Sequence, residues 1–129
     1  MRCLVVEDDD ILAGVLSDYL TGLGHDVTRA ATIAAALHCL RTTKFDLLLL
    51  DYRLPDGISL PVSEYAAATC PNLRTILLTG SGVFPHGEAA TIAPGIDWVL
   101  RKPVALADLG AIVDYAALDA QLHPVDCVS

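Results

Sequence analysis

The chain predicts an α/β fold: a doubly wound, five-stranded parallel sheet with helices on both faces. Three observations predict it. Short apolar runs alternate with segments of helical periodicity from one end to the other, as repeated βα units do. One run, Phe45-Asp46-Leu47-Leu48-Leu49-Leu50, is nearly unbroken in hydrophobicity, which suits a strand covered on both faces. Polar residues stand directly after the runs, where open parallel sheets build their sites.

Arg2 to Glu7 reads as the first strand. From about Asp9 to Leu23, the residues Ile11, Leu12, Val15, Leu16, Tyr19, Leu20 and Leu23 recur at helical spacing, and Gly24 is placed to stop the helix. His25 to Ala30 is a short second strand. An alanine-rich helix follows from about Thr32 to Thr42, with Thr32 as its cap and Ile33, Ala36, Leu37 and Leu40 on one face. Phe45 to Leu50 is the third strand, and it delivers Asp51 to the turn-forming stretch Tyr52-Arg53-Leu54-Pro55-Asp56-Gly57. The next helix, about Ser59 to Thr69, accepts Pro61 because the first turn needs no internal partner for the missing N–H. Pro71 marks its end.

Thr75 to Leu78 and Ile96 to Leu100 are the fourth and fifth strands. Between them, Pro85, Gly87, Pro94 and Gly95 leave Val83 to Gly95 room for only a short helix, bringing the expected helices to about five. The final helix runs from about Leu106 to Leu122. Right-handed crossovers then place helices on both sides of the sheet. Residues 1–122 make one domain, and 123–129 a short tail without periodicity.

At 129 residues and 53% hydrophobic, the chain is the size of about one domain and can fill a core. A net charge of -8 argues against direct nucleic-acid binding through phosphate contacts. No apolar stretch reaches the roughly 20 residues that span a bilayer, and Met1-Arg2-Cys3-Leu4-Val5-Val6 runs straight into acids, unlike a signal peptide. The expected location is the cytoplasm. Cys3, Cys39, Cys70 and Cys127 are scattered without a Cys-x-x-Cys pair, and read as isolated reduced thiols. His25, His38, His86 and His123 are isolated and read as surface residues.

The polar residues that follow strands are Glu7, Asp8 and Asp9 after the first, Asp51 after the third, Thr79 and Ser81 after the fourth, and Lys102 after the fifth. With the first and third strands as neighbours, several carboxylates crowd together, and like charges at that range oppose simultaneous ionisation. A cation resolves the conflict. Oxygen ligands alone favour a hard ion such as Mg²⁺, typically held by one or two carboxylates with waters and a phosphate oxygen. Lys102 can pair with Asp51 and then with a phosphoryl oxygen, and the Thr79 hydroxyl can hydrogen-bond another. Such a set suits a carboxylate that accepts a phosphoryl group.

Taken together, Val5-Val6-Glu7-Asp8, Leu50-Asp51 with Leu54-Pro55-Asp56-Gly57, Leu78-Thr79-Gly80 and Lys102-Pro103 resemble the receiver domain of two-component response regulators. The resemblance covers about residues 2 to 122. It implies a flavodoxin-like sheet in the order 2-1-3-4-5, and phosphorylation of Asp51 by a histidine kinase or histidine phosphotransfer protein. It implies Mg²⁺ bound by Asp8, Asp51 and the backbone carbonyl of Arg53, with Glu7 contributing through water. Thr79 would be the switch hydroxyl and Lys102 the family's lysine; the bland alternatives are a turn residue and a solvated charge. The chain would then be no turnover enzyme, although it assists its own phosphorylation and dephosphorylation. Its modification would switch binding of an unidentified downstream protein or output domain.

Arg53 and Ser81 occupy positions that in such domains flank the phosphoryl group and influence its lifetime. Asp9 falls outside the matched pair and reads as an acid at the first helix's amino end. The family's aromatic switch residue usually stands three positions before the lysine, where this chain has Val99, with Trp98 one position earlier. Either Arg101 bulges and Trp98 takes the switch place, or Trp98 is a packed surface or interface residue. Ala111, Tyr115 and Leu118 on the final helix either offer an apolar patch to a partner or second copy, or pack ordinarily.

Two other functions are weaker. An aspartate-nucleophile phosphohydrolase would need a second acid two residues after Asp51, where Arg53 stands. A nucleotide- or flavin-binding domain would need a Gly-x-Gly-x-x-Gly turn or a Gly-x-x-x-x-Gly-Lys loop, and the chain has neither.

Overall fold

A computed structural model describes residues 1–80 and 95–122. Its elements run β1 (Arg2–Val6), α1 (Asp10–Gly22), β2 (Asp26–Ala30), α2 (Ile33–Thr42), β3 (Leu47–Asp51), β4 (Arg53–Leu54), β5 (Gly57–Ile58), α3 (Leu60–Thr69), β6 (Arg74–Thr79), β7 (Trp98–Arg101) and α4 (Leu106–Leu122). The main sheet has five strands in the order β2-β1-β3-β6-β7, and every pair in it is parallel. This is the expected order 2-1-3-4-5 once β4 and β5, a two-residue antiparallel ladder, are set aside. The short helix expected within Val83 to Gly95, together with Ser81, His86, His123, Cys127 and the 123–129 tail, lies outside the described residues.

Alternation along each strand divides the core in two. Leu4, Val6, Leu48, Leu50 and Leu77 face α2 and α3, packing with Ala36, Leu40, Val62 and Ala66. Cys3, Val5, Leu47, Leu49, Ile76 and Leu78 face the other side, against Leu16 and Leu20 of α1 and Leu109 and Val113 of α4. All four leucines of β3 have no exposed surface, which explains their unbroken run. Buried Cys3 has its thiol pushed up to about 11, first by burial. Among the described residues, no helix is long and apolar enough to cross a membrane.

Local signals end the helices as read. Asp9 caps α1, its carboxylate accepting from the amides of Ile11 and Leu12 at 3.0 and 3.2 Å. At the other end Gly24 has φ +95°, and the amides of Gly24 and His25 reach back to the carbonyls of Thr21 and Leu20. That left-handed residue is affordable only for glycine. Thr32 Oγ1 accepts from the amide of Ala35, capping α2.

The α1 helix expected from its apolar spacing is present, and its buried face is made by Ala13, Leu16, Ser17 and Leu20, while Ile11 is 81% and Val15 45% exposed. Small Ala13 and Ser17 let the helix approach the sheet on their side, which rotates Ile11 and Val15 outward. The last strand begins at Trp98 rather than Ile96. Asp97 Oδ2 accepts the amide of Thr75 at 2.8 Å, taking a place that a strand carbonyl would otherwise fill. His25 is half-buried and its Nδ1 lies 2.9 Å from the amino group of Met1, so it is not a free surface residue.

The same region decides between the two readings of Trp98. Register runs without interruption through Ile76–Trp98, Leu77–Val99, Leu78–Leu100 and Thr79–Arg101, and the Lys102 amide continues to the Thr79 carbonyl at 2.8 Å. Arg101 does not bulge, so Val99 occupies the position three before the lysine. Trp98 packs in the α1–α4 layer, edge-on to Tyr115 at 6.1 Å and beneath the Arg74 guanidinium at 4.9 Å. Arg74 in turn bridges Asp119 and Asp97 at 2.7 and 3.6 Å.

Candidate functional site

The carboxyl ends of β1, β3, β6 and β7 meet at one edge of the sheet, and each contributes to one site. Val6 pairs in register with Leu50, so Glu7 emerges beside Asp51. Glu7, Asp8 and Asp51 each bring a carboxylate oxygen within 4.8 Å of the others. Lys102, delivered by β7, sends its Nζ to 3.0 Å from Asp51 Oδ2 and 2.9 Å from Glu7 Oε1. The Lys102–Pro103 bond is cis.

Burial is uneven within this set. The side chains of Glu7 and Asp51 are 1% and 8% exposed, while Asp8 is exposed. Burial, ahead of the nearby Asp51 charge, raises the Glu7 pKa above its ordinary value. Burial alone would depress the Lys102 pKa; contacts with Glu7 and Asp51 outweigh it and leave the ammonium above its ordinary range. One Glu7 oxygen, Oε2, accepts the Asp9 amide at 3.0 Å. The other, Oε1, is buried and pairs with the Lys102 ammonium at 2.9 Å.

The chain after Asp51 folds back on itself. The Tyr52 amide donates to the Leu78 carbonyl at 2.9 Å, and the Ser59 amide donates to the Tyr52 carbonyl at 2.8 Å. Arg53 pairs with Ile58 in the small ladder; its exposed side chain lies over the Tyr52 ring at 5.6 Å. A cleft of about 160 Å³ is walled by Asp51, Tyr52, Arg53, Gly80 and Lys102. A larger cleft, about 380 Å³, opens elsewhere, among Met1, Asp46, Arg74 and Asp119. The smaller one holds the chemistry, since it contains the paired carboxylate and ammonium.

The structure thus brings together Glu7, Asp8, Asp51 and Lys102, and sets Arg53 on the cleft wall. Thr79 is 1% exposed at the end of β6, and its carbonyl accepts from Lys102; the wall beside it is Gly80. Tyr52 and Gly80 were not singled out from sequence, although each adjoins a residue that was. Asp56, which the sequence places in the turn and in the motif Leu54-Pro55-Asp56-Gly57, accepts the amides of Ile33 and Ala34 at 2.9 and 3.1 Å. No local signal marks a contact across that much sequence.

Chemically, the buried Glu7 carboxylate and the adjacent Asp8 and Asp51 form an oxygen-only donor set whose negative charge exceeds that of the single Lys102 ammonium, which fits a hard divalent cation. Asp51 is a carboxylate held by a cation-bearing side chain at the mouth of a small cleft, an arrangement suited to accepting an electrophile bearing negative oxygens.

A family model described as the response regulator receiver domain matches residues 3–114. The chain is 33% identical over 113 residues to the probable transcriptional regulatory protein SilR of Salmonella typhimurium, an alignment spanning 88% of this chain and 49% of SilR. It is 30% identical to the response regulator protein PilR of Pseudomonas aeruginosa, spanning 97% of this chain and 29% of PilR. The chain therefore covers about half or less of the length of these relatives. A solved response regulator receiver domain protein from Methanospirillum hungatei superposes with a TM-score of 0.84 at 29% identity, over 96% of this chain and 98% of that one.

Proposed function

Because this chain belongs to the response regulator receiver domain family of two-component signalling, we propose that Asp51 is its phosphoryl acceptor. The observation that supports this most is the convergence of Asp51 with Lys102 at 3.0 Å and with the Glu7–Asp8 acidic pair, at the mouth of a cleft.

In the transfer, an Asp51 carboxylate oxygen bonds to phosphorus as the donor's bond to phosphorus breaks, the electron pair leaving with the donor atom. Lys102 passes from Asp51 Oδ2 toward a phosphoryl oxygen, keeping its charge matched throughout. Thr79, at the end of β6, supplies a hydroxyl donor to another oxygen. Asp8, Asp51 and the Arg53 carbonyl would hold Mg²⁺, with Glu7 contributing through water, and the ion would supply charge neutralisation at the phosphoryl oxygens. The phosphate donor is a histidine kinase or histidine phosphotransfer protein, and the reader is a downstream protein or an output domain. The receiver unit comprises residues 1–122 and works in the cytoplasm as a phosphoacceptor, with no turnover of a substrate. Arg53, standing where a phosphohydrolase would need its second acid, disfavours that alternative.

Incubation with acetyl phosphate and Mg²⁺, followed by intact mass measurement, tests the assignment. Wild type gains one phosphoryl group, and both Asp51→Asn and chelation of Mg²⁺ abolish the gain. A full gain in Asp51→Asn overturns it.

A further inference from the structure

We propose that Asp56 is a positioning residue for the cation side of the site, tying the hairpin that carries Arg53 to the amino terminus of α2. The role rests on the phosphoacceptor reading above and adds to it a residue that touches neither cation nor phosphoryl group.

The hairpin after Asp51 is weakly built. Its ladder is the two pairs Arg53–Ile58 and Leu54–Gly57, closed at the base by the Ser59 amide on the Tyr52 carbonyl, and so short a hairpin does not hold the orientation of its tip in water. Leu54 is buried and anchors one side in the α2–α3 layer. The tip is fastened by Asp56, with Oδ1 accepting from Ile33 at 2.9 Å and Oδ2 from Ala34 at 3.1 Å. Both carboxylate oxygens are used, and the positive end of the helix dipole favours the charge. Thr32 satisfies the next amide, that of Ala35, so the two side chains share the helix terminus without redundancy.

Asp56 is itself exposed, so it contributes little through burial. Its effect is geometric. The Arg53 peptide group lies at the base of the hairpin and Asp56 at its tip, so freeing the tip loosens the carbonyl assigned to the cation. The simpler alternative is that Asp56 only caps α2. Thr32 separates the two, since it caps the same helix end with no hold on the hairpin.

The experiment measures the Mg²⁺ concentration that half-saturates the cation-induced rise in melting temperature, for wild type, Asp56→Ala, Asp56→Asn and Thr32→Ala. The half-saturating Mg²⁺ concentration for phosphorylation by acetyl phosphate is read in parallel. Asp56→Ala should raise both midpoints about tenfold, as loss of a residue orienting a metal ligand does. Asp56→Asn should fall between it and wild type, and Thr32→Ala should melt lower with wild-type midpoints. A wild-type midpoint in Asp56→Ala, or an equal shift in Thr32→Ala, overturns the positioning role alone. A wild type that neither responds to Mg²⁺ nor accepts phosphate overturns the phosphoacceptor reading and this role with it.

Discussion

Glu7 is nearly fully buried, and burial, ahead of the Asp51 charge, raises its pKa above the ordinary 4.5. Between the ordinary and the raised value, the folded chain binds more protons than the unfolded one. Stability attributable to Glu7 is therefore full below pH 4.5 and is lost as pH rises through the folded value. Without Mg²⁺, the unfolding free energy of Glu7→Gln should gain on wild type as pH rises above 4.5 and then level off, as urea melts in chelator would show. Saturating Mg²⁺ should shrink the advantage, because the cation rewards the charged form. Glu7, Asp8, Asp51 and Lys102 were legible as a set because each immediately follows a strand, and parallel strands share an end. The way the two oxygens of Glu7 are shared was not, since it depends on where Lys102 Nζ and the Asp9 amide come to rest.

Between elements, α1 and α4 meet closely where Tyr19 lies over Gly110. A Cβ added at Gly110 would collide with the Tyr19 hydroxyl, while the next nearest ring atom, Cζ, stands at 3.3 Å. Two effects compete in Gly110→Ala. Helix propensity favours alanine by about 1 kcal/mol, and forcing atoms into a packed contact costs about 1–3 kcal/mol. The hydroxyl is the far end of a half-buried side chain and can give way, so the two effects nearly cancel and the net loss should be at most about 1 kcal/mol. In a Tyr19→Phe background the hydroxyl is gone, and Gly110→Ala should become neutral or stabilising; an equal loss in both backgrounds by chemical denaturation would refute the contact. Helix positions were legible from caps and periodicity, and α4 matches its expected span. The buried stripe of α1 was not, because Ile11 and Val15 fit the same periodicity as Leu16 and Leu20. The start of β7 also escaped, because the Asp97 side chain takes the Thr75 amide and leaves only the Asp97 amide to pair with the Thr75 carbonyl.

At the level of the molecule, one sheet serves two apolar layers, so loss of either should unfold the other. Leu49 belongs to the α1–α4 layer but sits on the central strand; Leu49→Ala should cost about 2–5 kcal/mol. Melts followed by Trp98 fluorescence, which reports that layer, should coincide with far-ultraviolet circular dichroism in both proteins. Separate transitions would refute a shared core. The sequence by itself determined the βα alternation, the central apolar strand and the polar residues at strand ends, because these follow from local periodicity and position along the chain. Only the tertiary structure decided that Val99 keeps the place before the lysine, that Trp98 packs under Arg74, and that Asp56 reaches α2. Register and long-range hydrogen bonds are settled by which backbones lie side by side, and no local pattern encodes that.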